Sequence, residues 1–287
     1  MGARNERGNA MSFVILTGAS SGIGAAAAVE LTRLGHQVLA TGHSEAKLQG
    51  VRQKMLAVAP ESVSVPAPIP ADLSRMKEVE LLAEIVLDRH SHVDVLINNA
   101  GVQPSRRRVS DDGHELTLAV NHLAPFLLTK LLVERLRESG GRVVTTSSST
   151  HTAGRIDRED LQMARRWSGR LAYGNSKLAN ILFTTELTRR TGLPATAVHP
   201  GSVRTDLNRD SPFVRWTKPF ERFLLTTPEK GADTLVWLAT DAEGGAPVAP
   251  YYADRRPAGT SDAARDQGLA AWLWETSEEL VSVPRID

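Results

Sequence analysis

The sequence predicts a single-domain α/β fold, with a doubly wound parallel sheet and helices on both of its faces. Short apolar runs alternate with longer amphipathic segments, the order typical of successive strand–helix–strand units. The runs Val14-Ile15-Leu16 and Val95-Leu96-Ile97 are continuously apolar, as in strands buried on both faces. No Pro/Gly/Ser-rich stretch divides the 287 residues into two cores, so one domain is expected.

The elements can be placed along the chain from this pattern. Strands are predicted at residues 13–16, 38–40, 93–97, 142–146 and 195–198. Helices are predicted at residues 24–34, 74–89, 116–137 and 172–190. A further strand within residues 63–69 should be short or irregular, because Pro66 and Pro68 cannot donate to a strand ladder.

Composition narrows the classes of function. The 34 basic and 33 acidic residues nearly cancel, so neither a nucleic acid nor an anionic membrane is expected as a partner. Cysteine is absent, which excludes disulfides and thiolate catalysis and fits the cytoplasm. The eight histidines lack metal-ligand spacing, so no metal is expected. Residues 1–11, which lack an apolar run, are predicted to form a flexible extension before a catalytic domain over residues 12–287.

A glycine-rich segment follows the first predicted strand directly and opens the first helix. It reads Thr17-Gly18-Ala19-Ser20-Ser21-Gly22-Ile23-Gly24. Gly18 permits a tight turn, Gly22 lets backbone N–H groups approach a pyrophosphate, and Gly24 allows close packing at the positive helix end. The strand before and the helix after disfavour the alternative, a glycine-rich turn without a ligand. We therefore expect a dinucleotide here, in a Rossmann-type fold.

Polar residues follow two later strands, at the edge where open α/β sheets bind their ligands. They are Asn98-Asn99-Ala100-Gly101 and Ser147-Ser148-Ser149. Taken alone, the first is equally an Asn-stabilised turn and the second an ordinary serine run. A serine hydroxyl at this edge could hydrogen-bond a substrate oxygen and stabilise the charge that develops during hydride transfer.

Tyr173 and Lys177 lie one helical turn apart on the same helix face. Such pairs are common on solvated helices, but this one is accompanied by the other motifs. A tyrosine needs its pKa lowered before it becomes an efficient acid/base near neutrality, and the Lys177 charge together with an oxidised nicotinamide would lower it. We therefore expect proton transfer through Tyr173.

These motifs together resemble those of the short-chain dehydrogenase/reductase family. The likeness rests on the Thr-Gly-x-x-x-Gly-x-Gly loop, the Asn-Asn-Ala-Gly element and the Tyr-x-x-x-Lys pair. It implies a catalytic tetrad of Asn121, Ser148, Tyr173 and Lys177. Within it, Ser148 takes the serine position in preference to its two neighbours, and Asn121 holds a water that links the lysine to bulk solvent.

A narrower resemblance, over residues 11–281, is to the retinol dehydrogenase-like branch of this family. It is carried by residues 120–123, 172–180 and 199–205, by the tail at residues 251–257 and 273–280, and by a long insert at residues 150–169. The chain differs from many membrane-bound members of that branch at its amino end, where they carry an anchoring helix. A retinoid substrate is therefore not expected.

The end of the second predicted strand bears on the choice of cofactor. It reads Thr41-Gly42-His43-Ser44, without the acidic residue that usually selects NAD. This favours NADP(H), whose 2′-phosphate could contact His43, Ser44 or Lys47. Relatives often carry arginine where this chain has His43, so use of NAD(H) stays open.

The remaining cofactor contacts are predicted partly from the glycine loop and partly from the family resemblance. Asp72-Leu73 resembles an adenine-contacting pair, although Asp72 could simply cap a helix. The predicted contacts are Gly18, Ser20, Ser21, Gly22, Ile23, Gly24, His43, Asp72, Leu73, Asn99, Ala100, Gly101, Tyr173, Lys177, Pro200, Val203 and Thr205.

Other residues leave alternatives open. Residues 206–227 combine aromatic and charged side chains, as a mobile lid or a surface helix would. Trp272 and Trp274 cannot share one helix side, so one could cap a pocket or join a subunit contact. Arg106-Arg107-Arg108 and Arg165-Arg166 are typical of solvated surface and less so of an anion site.

The main hypothesis is NADP(H)-dependent interconversion of a carbonyl and an alcohol on a small apolar or natural-product-like substrate. An alternative keeps the cofactor but dehydrates, epimerises or cyclises the substrate. Another is a dinucleotide-responsive binding or regulatory protein, because a fold alone does not establish catalysis. A homo-oligomer is compatible with the sequence.

Overall fold

The computed structural model describes residues 11–201 and 227–281. In this part of the chain the sheet has eight strands, ordered β3-β2-β1-β4-β5-β6-β7-β8. Strands β1 to β7 pair in parallel, and β8 is antiparallel to β7. Their bounds are β1 Phe13–Leu16, β2 Gln37–Gly42, β3 Ile69–Pro70, β4 Val95–Asn98, β5 Arg142–Thr146, β6 Ala195–His199, β7 Tyr251–Ala253 and β8 Arg256–Pro257.

Helices cover both faces of this sheet. Their bounds are α1 Gly22–Arg33, α2 Glu45–Val58, α3 Met76–Arg89, α4 Leu116–Leu118, α5 Ala124–Glu138, α6 Gly169–Thr191, α7 Pro228–Thr240, α8 Ala242–Gly245 and α9 Gln267–Val281. A π-helical turn, Ala119–Leu123, joins α4 to α5. Two 3₁₀ turns span Ser149–Ala153 and Asp262–Arg265.

Strand β1 shows how the two layers form. Phe13 and Ile15 point into an apolar cluster with α3, α5 and α6, whereas Val14 and Leu16 point into a second cluster with α1, α2 and α7. Because both faces are covered, the strand is buried throughout, as its continuous apolarity predicted. The doubly wound α/β fold is confirmed.

The bounds of the strands and helices in the structure differ in several places from those predicted from the sequence. The strand expected within residues 63–69 is short, as predicted, since β3 holds only Ile69 and Pro70. The helix predicted at residues 116–137 is interrupted by the π-helical turn. Helices α2, α7, α8 and α9 and strands β7 and β8 were not predicted individually. Residues 1–10 and most of the predicted lid segment lie outside the described residues.

The carboxyl-terminal helix α9 is fastened to the α5–α6 layer. Trp274, only 2% exposed, packs its ring against Phe126, with ring centroids 4.9 Å apart, and donates its indole N–H to Glu278. Glu278 also forms a buried ion pair with Lys130 of α5. Trp272 instead lies half-buried under the Arg158 guanidinium. Trp274 is therefore a core anchor, and it does not cap a pocket.

One stretch has the length and apolarity of a membrane-spanning helix. It is Leu116–Glu138, and 89% of its apolar window is buried inside the protein. Core helices of globular proteins have the same composition. In this fold the stretch supplies the buried face of α5 and the π-helical turn.

Candidate active site

The glycine loop is shaped by backbone geometry and by close contacts that exclude side chains. Gly18 and Gly22 have φ of 69° and 56°, the left-handed region that favours glycine. A Cβ on Gly24 would lie 2.3 Å from the Gly18 carbonyl oxygen. Helix α1 therefore starts directly against the loop, and the Ser21 side chain makes no capping bond there. This leaves backbone N–H groups at a positive helix end, the arrangement that binds a pyrophosphate.

Asn99 and Thr17 tie this loop to neighbouring strands. The Thr17 hydroxyl accepts the N–H groups of Asn99 and Ala100 at 3.0 and 3.1 Å. The Asn99 amide donates to the Thr17 carbonyl at 3.1 Å and accepts from the Thr146 hydroxyl at 3.3 Å. The ends of β1, β4 and β5 are thereby braced. The side chain of Asn99, predicted as a cofactor contact, is engaged in this brace.

Tyr173 and Ser148 meet at the carboxyl end of β5. Burial raises the pKa of Tyr173 to about 12, and a hydrogen bond with Ser148 acts in the opposite direction. The Ser148 hydroxyl accepts the Thr150 N–H at 3.2 Å, so its own hydrogen is left to donate. The sequence predicts that the Lys177 and cofactor charges lower the tyrosine pKa. Among the groups of the protein itself, burial prevails, and the phenol is protonated at neutral pH.

Lys177 is enclosed next to the phenol. Its Nζ lies 5.3 Å from the centroid of the Tyr173 ring and donates to the Thr146 carbonyl at 3.0 Å. Burial lowers the pKa of Lys177 to about 8. The Ser147 hydroxyl donates to the Lys177 carbonyl at 2.7 Å and is fully buried, so Ser147 supports the helix and faces no substrate.

Asn121 is buried in the π-helical turn, and such turns are frequent at functional sites. Its Oδ1 accepts the Val102 N–H at 2.7 Å, and its Nδ2 donates to the Ser176 hydroxyl at 3.0 Å. A Cβ on Gly101 would lie 3.5 Å from Asn121 Oδ1 and 3.7 Å from Lys177 Nζ. Asn121 and Lys177 therefore border the same space beside Gly101.

The chain directly after β2, where a contact with the 2′-phosphate of NADP(H) is predicted, is exposed to solvent, unlike the buried site of Tyr173 and Lys177. The His43 side chain is 81% exposed, and its Nδ1 lies 3.8 Å from Asp72 Oδ2. Asp72 Oδ1 accepts the backbone N–H and the hydroxyl of Ser74 at 3.0 and 2.7 Å. Helix α3 begins at Met76 with Arg75 as its N-cap, so Asp72 closes a turn with Ser74 and does not cap the helix, while its second oxygen faces His43.

The other predicted contacts divide into three groups. Ser20, Ser21 and Ile23 belong to the loop, Leu73 is buried after β3, and Pro200 follows β6. Val203 and Thr205 lie outside the described residues. The two arginine groups are exposed and come near each other where Arg107 donates to the Gln162 carbonyl at 3.2 Å.

Sequence reasoning missed the supporting roles of several residues. Thr146, directly before the serine run, and Ser176, inside the Tyr-x-x-x-Lys pair, bond to candidate residues. Thr17 and Ser147 stand in the quoted motifs, but their bonds to Asn99 and Lys177 were not predicted. The sequence motifs gave neither His151 nor His199 a role in the site. Proximity to a motif was the available signal, but which polar side chain points inward depends on the sheet register.

The loop geometry and its contacts fit a dinucleotide. The glycine cradle formed by Gly18, Gly22 and Gly24 leaves no room for a Cβ at Gly18, which would contact the Ala100 backbone, or at Gly24, which would contact the Gly18 carbonyl. Among the described residues no group of acidic, histidine or cysteine side chains could hold a metal ion.

Comparisons with known proteins agree with this geometry. The family model for short chain dehydrogenase matches residues 12–213. A Streptomyces sp. (strain C5) protein, provisionally named daunorubicin C-13 ketoreductase, is 43% identical over 93% of this chain and 92% of its own length. Human retinol dehydrogenase 11 is 37% identical over 94% of this chain and 86% of its own length.

Solved structures show the same fold. A crystal structure of an uncharacterised protein from Mycobacterium paratuberculosis has a TM-score of 0.75 and 36% identity, covering 95% of this chain and 94% of that one. A metagenomic short-chain oxidoreductase in complex with NADP has a TM-score of 0.62 and 26% identity, covering 87% of this chain and 98% of that one.

Proposed function

Because this chain belongs to the short-chain dehydrogenase family, in its retinol dehydrogenase-like branch, we propose that it is an NADP(H)-dependent carbonyl reductase whose proton donor is Tyr173. Membership makes it an oxidoreductase that acts on an alcohol or carbonyl group with a nicotinamide dinucleotide. The proposal itself concerns the preference for NADP(H), the substrate class, the direction of the reaction and the roles of the residues.

One observation carries the proposal. Tyr173, Ser148 and Lys177 come together at the carboxyl edge of the sheet, beside a glycine cradle at the amino end of α1. Open α/β sheets bind ligands at this edge. A carbonyl oxygen placed here would meet two hydroxyl groups that can donate hydrogen bonds.

Each residue has a distinct role in this proposal. Tyr173, whose phenol is protonated at neutral pH both at its ordinary pKa and at the raised value of about 12, gives its proton to the substrate oxygen, and the charges of Lys177 and an oxidised nicotinamide would lower that pKa. Ser148, whose hydroxyl is oriented by the Thr150 N–H, donates to the same oxygen and stabilises its developing charge. Lys177 and Asn121 border one space beside Gly101, where protons could be resupplied to the phenol. The bound dinucleotide would supply the hydride.

The preference for NADP(H) is supported by the end of β2. His43 is exposed there, and no carboxylate follows the strand directly. A 2′-phosphate would therefore meet no repulsion from β2, and a protonated His43 would attract it. Asp72 faces His43 at 3.8 Å and would compete for that charge, so the preference should be moderate.

The substrate class and the direction are supported by the relatives. One is named for reduction of a ketone of daunorubicin and another for oxidation of retinol. These are the two directions of one hydride transfer, on molecules with large apolar ring or chain systems. We propose a similarly apolar or natural-product-like carbonyl compound, reduced in the cytoplasm.

The test is turnover of NADPH and NADH by the purified protein with a panel of aldehydes, ketones and quinones, followed by the loss of reduced-nicotinamide absorbance. We expect faster turnover with NADPH, and a loss of about 10²–10⁴-fold in kcat for Tyr173→Phe. Fluorescence titration should show that the variant still binds NADPH. Full turnover by Tyr173→Phe, or tight cofactor binding without oxidation on any substrate, would overturn the proposal.

A further inference from the structure

The peptide group between Ser148 and Ser149 is held on both sides by histidines. The Ser148 carbonyl oxygen accepts from His151 Nδ1 at 2.8 Å and from the His151 backbone N–H at 3.1 Å. The Ser149 N–H donates to His199 Nδ1 at 3.3 Å. A single peptide plane, directly after the proposed oxygen-binding serine, is thus bonded to an imidazole at each of its polar ends.

The hydrogen bonds define a different neutral form for each histidine. The Ser261 N–H donates to His151 Nε2 at 3.3 Å, so this nitrogen is bare and the ring proton is on Nδ1. His199 accepts at Nδ1, so its ring proton must be on Nε2. The two histidines are therefore opposite tautomers.

Their surroundings keep these rings in place. His151 is 1% exposed and meets the Tyr251 ring edge-on, with centroids 4.9 Å apart. Burial lowers the pKa of His199, His151 acts in the same direction, and Asp254 on the β7–β8 turn opposes both. Asp254 and His151 are thus the titratable groups among the described residues that act on the His199 ring.

The peptide plane is connected to the Ser148 hydroxyl by the chain that follows it. Ser148 is extended, with φ of −165° and ψ of 157°, and is the N-cap of the 3₁₀ turn Ser149–Ala153. Its hydroxyl accepts the N–H of Thr150, two residues later. Rotation of the plane would move that N–H, and the hydroxyl would lose its orientation.

We propose that His199 and His151 are positioning residues that clamp this peptide to orient Ser148, and that protonation of His199 opens the clamp. A proton on His199 Nδ1 would face the Ser149 N–H, replacing an attraction by a repulsion between two donors. The clamp is therefore closed at neutral pH and opens as the pH falls. This inference rests on Ser148 acting as proposed above.

Two substitutions of His199 test the clamp. Asparagine places an uncharged acceptor near the position of Nδ1, whereas leucine removes the acceptor. We expect His199→Leu to lower kcat about tenfold while the Kd for NADPH is unchanged. His199→Asn should keep kcat within about threefold of the unsubstituted protein at neutral pH and flatten the fall in kcat below about pH 6.5, the ordinary histidine value beneath which burial holds the His199 pKa.

His36 provides a matched control at the opposite edge of the sheet. Its Nδ1 accepts the Ser12 N–H at the same 3.3 Å, and burial lowers its pKa as well. His36→Leu and His36→Asn remove or replace the same kind of bond before β2, far from the candidate site. Both variants should keep the kcat–pH profile of the unsubstituted protein.

A second readout does not depend on turnover. Long-range proton–nitrogen correlation spectra of protein labelled with ¹⁵N-histidine report which ring nitrogen carries the proton. We expect Nδ1–H for His151 and Nε2–H for His199, with the His199 signals changing as acid is added. Equal tautomers, or a His199→Leu variant with unchanged kcat and pH profile, would overturn the clamp. Correct tautomers without turnover on any substrate would instead count against the proposed function alone.

Discussion

At the scale of single residues, three consecutive serines have three different environments. The Ser147 hydroxyl is buried under the Lys177 carbonyl, that of Ser148 lies at Tyr173, and the Ser149 residue is exposed. The preference for Ser148 came from the family resemblance, because the residue types are identical. The alternation of side chains at the strand end gives a physical reason for the same choice.

Substitution of these serines separates their roles. We expect Ser148→Ala to lower kcat/KM by about 10²–10³-fold, because a donor to the developing oxyanion is lost. Ser149→Ala is the matched control and should stay within about threefold, since its hydroxyl is exposed to solvent. Steady-state kinetics with NADPH measure both. If Ser149→Ala is the impaired variant, the oxygen-binding role belongs to Ser149.

His122 predicts how stability depends on pH. It is buried next to Asn121, its Nε2 lies 2.9 Å from the Ser277 hydroxyl, and burial lowers its pKa from 6.5 to about 4. The folded state therefore binds this proton more weakly than the unfolded state. The associated stability is present above about pH 6.5 and is lost as the pH falls toward 4, with a maximum effect of about 3 kcal/mol.

The variant His122→Gln, which keeps a donor toward Ser277 but does not titrate, should lose less free energy of unfolding over this pH range. Denaturant unfolding at several pH values measures the difference. His43→Gln, at a side chain that is 81% exposed, should follow the unsubstituted protein. Parallel pH curves for the unsubstituted protein and His122→Gln would show that another group governs the acid loss.

At the scale of elements, the local sequence pattern predicted the central strands more accurately than the residues at which helices begin or are interrupted. Helix α1 begins at Gly22, two residues before the predicted start, because the loop turns into the helix without a side-chain cap. The π-helical turn at Asn121 was missed, since one additional residue per turn does not change an apolar pattern that is buried all round. Helix α2 buries only Leu48, Val51 and Met55, a weak apolar stripe.

Two glycines within helices should respond oppositely to alanine. In α1, a Cβ on Gly24 would meet the Gly18 carbonyl oxygen at 2.3 Å and the Asn99 amide at 2.6 Å. In α2, a Cβ on Gly50 would meet no heavy atom within 4 Å. We expect Gly24→Ala to abolish cofactor binding, and Gly50→Ala to stabilise the fold by about 0.5–1 kcal/mol.

Titration with NADPH and denaturant unfolding measure these effects, and Gly50→Ala is the control for binding. A Gly24→Ala variant with the cofactor affinity of the unsubstituted protein would contradict the loop geometry described above.

At the scale of the whole molecule, the parallel sheet assembles the candidate site from distant parts of the chain. Residues 17–24, 98–101, 121, 148, 173 and 177 converge because the carboxyl ends of parallel strands share one edge. Helix α9, 100 or more residues beyond most of them, closes the core behind α5 and α6 through Trp274 and Glu278. Cofactor binding should therefore stabilise the fold as a unit.

Thermal unfolding with each dinucleotide tests this linkage and the cofactor preference. At about 100 times its Kd a ligand adds about 2.7 kcal/mol, so NADP⁺ should raise Tm more than NAD⁺ at equal concentration. His43→Asp, which places a carboxylate at the end of β2, should reverse this order. Equal shifts for both dinucleotides in both proteins would contradict a role for this position in selectivity.

The sequence by itself predicted the fold class, the glycine loop and the Tyr173–Lys177 pair, because continuous apolar runs, glycine positions and helical spacing are local patterns, whereas Asn121 and Ser148 were predicted from the family resemblance. The protonation and the hydrogen bonds of the candidate site were decided only by the tertiary structure. It raised the Tyr173 pKa through burial, engaged the Asn99 side chain in a brace, and placed His151 and His199 around the peptide after Ser148. The burial of a side chain and its hydrogen-bond partners depend on which distant segments of the chain pack together, and a local sequence pattern does not contain that information.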